Sequence, residues 1–94
     1  MENLNQVSQS FNALAHKRRV LLFKLFLNSE PKKLSFGQLQ KMSKIPVAPL
    51  THHLLFLEKG GLVRRQSKGA HTYFTLQVQS FKLLLETVKN QCGS

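Results

Sequence analysis

Apolar residues recur at three- and four-residue steps through Leu4, Val7, Phe11, Leu14 and Ala15, the spacing that lines one face of a helix, so a first amphipathic helix is expected near residues 4–15. The pattern breaks around residues 16–19 and resumes as "VLLFKLFL", Val20 to Leu27. This stretch is apolar almost all round, which predicts a central buried helix that Asn28, Ser29, Glu30 and Pro31 bring to an end. Ser35 can cap a short helix whose Phe36, Leu39 and Met42 share one face. A turn over residues 43–46 leads into a helix from Val47 to Lys59. Pro49 falls in its first turn, where a missing N–H costs nothing, and Gly60 and Gly61 stop it. From Leu62 the period becomes that of a strand: "LVRRQ", a polar turn "SKGA", then "HTYFTL", the signature of a hairpin. Phe81, Leu84, Leu85, Val88 and Cys92 mark a last amphipathic helix, near residues 79–91. The expected fold is mainly α with a β-hairpin, in the order α-α-α-α-β-β-α. It forms one domain over residues 1–94 with no internal repeat, low-complexity tract or linker.

Counting about 100° per residue around the Val47 to Lys59 helix, Leu50, Leu54 and Leu57 share a narrow arc that must face the core. Ala48, Thr51, His52, Leu55 and Lys59 fall on or toward the other side. His52 therefore points outward, and His53 sits beside the buried stripe as a half-buried, hydrogen-bonded residue. Adjacent histidines diverge around a helix, whereas helical zinc pairs use an i, i+4 spacing, so no metal is expected. Catalysis has no constellation behind it. The acids number four, Glu2, Glu30, Glu58 and Glu86, without a paired-carboxylate motif or a phosphate-cradling glycine loop. An enzyme is not expected, nor is a cofactor.

Charge narrows the class further. Fourteen Lys and Arg against four Asp and Glu give a formal net charge of +10, which favours an anionic partner such as nucleic acid. At 41% hydrophobic content the chain is too apolar for a disordered basic tail. Its single cysteine, Cys92, excludes an intramolecular disulfide and a cysteine-based zinc site and fits a reducing compartment. No signal-peptide pattern opens the chain and no apolar run reaches the ~18 residues of a membrane span, so a cytoplasmic protein is expected.

A short helix, a tight turn and a second helix with a small and polar outer face form the helix-turn-helix arrangement that enters the major groove of DNA. Val47, Ala48, Thr51, His52 and Leu55 are the candidate recognition positions. The hairpin adds Arg64, Arg65, Lys68 and His71 as candidate wing and backbone contacts, with no acid between Lys59 and His71. Apolar stripes on the first and last helices, Leu4, Val7, Phe11, Phe81, Leu84, Leu85 and Val88, are the candidate dimer surface, since a domain this small would otherwise leave them partly wet.

The segments "NALAHKRR" and "LTHHLLFLEKGGLVRR" are similar to "KALADPTR" and "VSHHLKVLREAGLVR" of the ArsR-type winged helix-turn-helix repressors, and the resemblance runs over nearly the whole chain. It implies a homodimer joined through the first and last helices that binds a two-fold operator in double-stranded DNA as a prokaryotic transcriptional repressor. By that match Ala48, Thr51 and His52 read bases, and Arg64, Arg65, Lys68 and His71 belong to the wing.

The departures carry information too. Members that sense metal on the third helix have an "ELCVCDL" box. This chain has "KLSFGQL", with Ser35 and Gly37 where thiols would stand. Members that sense zinc on the last helix carry histidine and acid ligands there; "SFKLLLETVKNQC" offers only Glu86. The usual polar "SQST" at the recognition helix is replaced by Pro46, Val47, Ala48 and Pro49. Cys92 extends the last helix's stripe and could form a redox-switchable bridge between two copies; the plainer reading is a terminal cysteine without a role. Two other uses of the same features remain: a basic winged-helix module that binds RNA, or one that binds a protein partner.

Overall fold

The computed structural model describes residues 4–91. The elements run α1 (Leu4–Ala13), α2 (Lys17–Leu27), β1 (Lys33–Ser35), α3 (Phe36–Ser43), α4 (Val47–Lys59), β2 (Val63–Lys68), β3 (His71–Leu76) and α5 (Val78–Gln91). The expected mainly-α fold with a hairpin wing is present with one strand more. β1 adds to the hairpin to give a three-stranded antiparallel sheet in the order β1-β3-β2. Three residues are too few to show a period of two, and β1 exists because Leu34 pairs opposite Phe74 and both are buried.

Local chemistry explains the element ends. His16 starts α2, its Nδ1 accepting the N–H of Arg18 at 3.1 Å. Ser35 Oγ accepts the Gln38 N–H at 3.1 Å while Gln38 Oε1 accepts the Ser35 N–H at 2.8 Å, a reciprocal capping box that fixes the start of α3. In the turn that follows, Lys44 takes a left-handed conformation (φ 61°), and Ser43 Oγ accepts the N–H of the buried Ile45 at 3.2 Å. The angle between α3 and α4 is thus set by a plug into the core and a strained cap residue.

At the far end of α4 the chain passes very close to α1. A Cβ on Gly60 would lie 2.7 Å from Ala13 Cβ and 2.9 Å from the Gln9 carbonyl, so only glycine fits. The Gly60 carbonyl accepts from Ser10 Oγ at 2.7 Å and from Gln6 Nε2 at 3.0 Å, which holds α1 against this end of α4. Gly61, at φ +74°, then reverses the chain toward β2.

The core lies between α2, α3, α4 and the inner face of the sheet, filled by Leu22, Phe26, Leu39, Leu50, Leu54, Leu57 and Leu62. Two expectations about it change. α2 is not buried all round: Leu22, Phe23 and Phe26 face inward, but Val20 and Leu21 are exposed, because α3 and α4 cover only one side of the helix. On α3, Leu39 is buried while Met42, about 60° further round the helix, is exposed.

Candidate nucleic-acid interface

α4 projects from the core with its two faces cleanly divided. Leu50, Leu54 and Leu57 are essentially inaccessible, and Val47, Ala48, Thr51, His52, Leu55 and Lys59 are all exposed. Packing of three leucines determines which residues the helix offers to solvent, and the five candidate recognition positions fall on that offered face. Thr51 Oγ1 donates to the Val47 carbonyl at 2.9 Å, so its hydroxyl hydrogen is already committed. His52 meets the ring of Phe56 edge-on at 4.9 Å, and the Arg19 guanidinium lies over the other part of this stack, 4.2 Å from the Phe56 centroid. Phe56 thereby holds the His52 ring in a defined orientation.

His53 is buried, as its place beside the leucine stripe implied, but the expected hydrogen bond is not found. Its Nδ1 has no partner among the described residues, and its ring lies 4.6 Å from that of His16. Burial, then the neighbouring His16, Arg19, Arg18 and His52, lower its pKa below the ordinary value of about 6.5, so the imidazole is neutral at pH 7. Arg19 is itself buried with Nε unpartnered. A cation at a core position leaves no apolar signal in the sequence, and its burial was not anticipated.

The wing separates residues that are neighbours in sequence. In the β2–β3 register Arg64 pairs with Thr75, Gln66 with Tyr73 and Lys68 with His71, which puts these on the outer face of the sheet. Arg65 pairs with the buried Phe74 and lies on the inner face, toward α4. There its Nε stands 3.8 Å from Glu58 Oε2, an open, partly exposed ion pair. Arg64 and Arg65 therefore cannot act as one basic pair: one looks outward, and the other closes the groove between helix and wing. Lys33, from the unexpected β1, joins the outer face with its Nζ 4.9 Å from the Tyr73 centroid. A two-residue turn with Gly69 at φ +63° carries Lys68 and His71 at the wing's tip.

The candidate dimer stripe is also partly redrawn. Leu4, Phe11, Leu85 and Val88 are exposed and Val7 is half-buried, but Leu84 is buried within the protomer, against α1, and Leu83 takes the outward place. Three consecutive leucines cannot be phased from sequence alone; the docking of α5 beside Gln6, Val7 and Ser10 sets the phase. Phe81 lies on α5, and Cys92 lies outside the described residues. Among the described residues there is no cluster of three or more side chains that could hold a metal ion, and no helix long and apolar enough to cross a membrane.

A capped helix, a tight turn and a second helix followed by a stranded wing define a winged helix-turn-helix domain. Solved structures agree. An ArsR family transcriptional regulator superposes with a TM-score of 0.82 at 19% identity, covering 96% of this chain and 90% of that one. The homodimeric winged helix-turn-helix DNA-binding domain of a Mycobacterium bovis protein gives 0.74 at 20% identity over 97% of this chain and 84% of its own. The transcriptional repressor BigR from Xylella fastidiosa gives 0.69 at 20% identity, covering 97% of this chain and 91% of that one. In sequence, the chain is 28% identical over 74 residues to the transcriptional activator HlyU of Vibrio cholerae. That match takes in 79% of this chain and 66% of the relative, just under two thirds of its length. No protein-family model matches the chain. The resemblance to ArsR-type regulators is borne out at the level of the fold: the chain has the winged helix-turn-helix architecture that these regulators share.

Proposed function

We propose that this chain is a cytoplasmic, homodimeric transcriptional regulator of the ArsR type that binds a two-fold operator in double-stranded DNA. The observation that carries the reading is the exposed stripe of α4, backed by three buried leucines and flanked by the basic wing. Three contributions make the affinity. Lys59, Arg64, Lys68 and His71 approach phosphates and displace counterions, which gives sequence-independent binding that weakens with salt. Thr51 and His52, with Val47, Ala48 and Leu55 around them, meet base edges in the major groove. Pairing of α1 and α5 across a two-fold axis, through Leu4, Phe11, Leu83, Leu85 and Val88, sets two reading helices about one helical turn, ~34 Å, apart.

Bound across a promoter, such a dimer represses by excluding polymerase, and repression is the sign we assign. It needs no metal for this, and the residues at the family's third-helix thiol positions, Ser35 and Gly37, are not ligands for a soft metal. The RNA reading is weakened by Tyr73, which is half-buried and covered by Lys33 and so is not offered for base stacking.

Fluorescence anisotropy against a duplex from upstream of the chain's own gene, with a scrambled duplex as competitor across a salt series, tests the proposal. Binding that survives competitor and weakens about four- to fivefold when Thr51 or His52 becomes Ala is expected, in line with ~0.8–1 kcal/mol for a single base contact. Equal, purely salt-driven affinity for this and other genomic duplexes would overturn it.

A further inference from the structure

The outer face of α4 is unusual for a helix that reads bases. Between Val47 and Glu58 there is no Arg, Lys, Asn or Gln, the side chains that form paired hydrogen bonds to guanine or adenine. Glu58, the one charged residue in this stretch, is turned toward Arg65 across the groove. What the helix does present is apolar: Val47 is 53% and Leu55 42% exposed, with Ala48 exposed beside them. Thr51 adds to this character, because its hydroxyl hydrogen is spent on the Val47 carbonyl while its other Cβ substituent is a methyl. Val47, Thr51 and Leu55 follow one another at i, i+4 and i+8, a line about 12 Å long on the helix surface. Leu55 ends that line on the lip of a groove of about 210 Å³ whose walls include Phe36, Leu54 and Phe74.

Resting on the DNA-binding reading above, we propose that this line reads the 5-methyl groups of thymines, and that His52 supplies the one polar base contact of the helix. The thymine methyl is the apolar feature of a base edge in the major groove, and short apolar side chains recognise it by contact. Apolar side chains held outward on an otherwise cationic surface lose water only when such a surface meets them. A line of about 12 Å spans three to four base-pair steps, so each half-site carries its thymines within one short run.

The test starts from duplexes that the purified chain selects out of a random pool. Each thymine of a selected duplex is then replaced by deoxyuridine, which keeps the Watson–Crick pairing and removes only the methyl. Affinity is expected to fall about fourfold for each contacted thymine, the value of one buried methyl-sized group. In Leu55→Ala, and separately in Val47→Ala, one of these losses should vanish while the others persist, a pairing that general destabilisation of the fold would not produce. A selected duplex whose affinity is indifferent to every deoxyuridine overturns the methyl reading and leaves the apolar line for a protein surface. Selection that yields no preferred sequence overturns the DNA-reading proposal itself, and this one with it.

Discussion

Helices α4 and α5 are nearly equal in length, 13 and 14 residues, and place their leucines in opposite ways. On α4 the leucines at 50, 54 and 57 are 0–2% exposed, and the protomer alone accounts for them. Of the three leucines on α5, Leu84 is buried, while Leu83 and Leu85 stand 54% and 52% exposed. One helix is fixed by its own chain and can offer a defined face to another molecule. The other is finished only when something apolar covers it. α1 shares this half-completed state: Ser10 and Ala13 are buried against the end of α4, but Leu4 and Phe11 are exposed. α1, which is held against the end of α4, and α5 thus carry the surface proposed to double the molecule.

That contrast can be broken at several points. Leu57→Ala, which opens a cavity behind the exposed face of α4, should cost about 2–5 kcal/mol, a large share of a small domain's stability, read from the urea midpoint. Gly60→Ala forces a methyl into Ala13 and the Gln9 carbonyl, and a loss of about 1–3 kcal/mol with α1 displaced is expected in the same assay. Leu83→Lys combined with Leu85→Lys should leave the single chain folded but abolish the proposed dimer. Sedimentation would shift to the single-chain mass, and the melting temperature would lose its dependence on concentration. Leu85→Ala, examined under dilute conditions where only protomers exist, should change stability by no more than about 0.5 kcal/mol.

Acidity sharpens the picture behind α4. His53 has a lowered pKa in the fold, so below about pH 6.5 the unfolded chain binds a proton that the folded chain refuses. Stability is therefore complete above that pH and declines as pH falls beneath it. The neighbours whose charge acts on the ring, His16, Arg19, Arg18 and His52, are all basic and oppose the added charge. In His53→Leu this part of the acid-side slope should disappear from pH-dependent denaturation curves.

Much of α4 was legible from sequence because punctuation and periodicity agreed there. Pro46 and the pair Gly60–Gly61 bound α4, and three leucines phase it. Ser35 marked the start of α3 through a cap whose partner, Gln38, stands three residues on. What stayed hidden has physical reasons. β1 is too short for a period and is recruited by the hairpin. Arg64 and Arg65 look like one cationic pair until strand alternation sends them to opposite faces, which the period of two could have revealed. The burial of Arg19 beneath Phe56 and the inward turn of Leu84 depend on which neighbour docks, information that no single segment contains.

The most direct test of the central claim is the stoichiometry of binding, by analytical ultracentrifugation, on a selected two-fold duplex and on its isolated half-site. Two protomers on the full duplex and much weaker binding to the half-site are expected if α1 and α5 join two copies of α4 as proposed. A single protomer bound to the half-site as tightly as to the full duplex would contradict it.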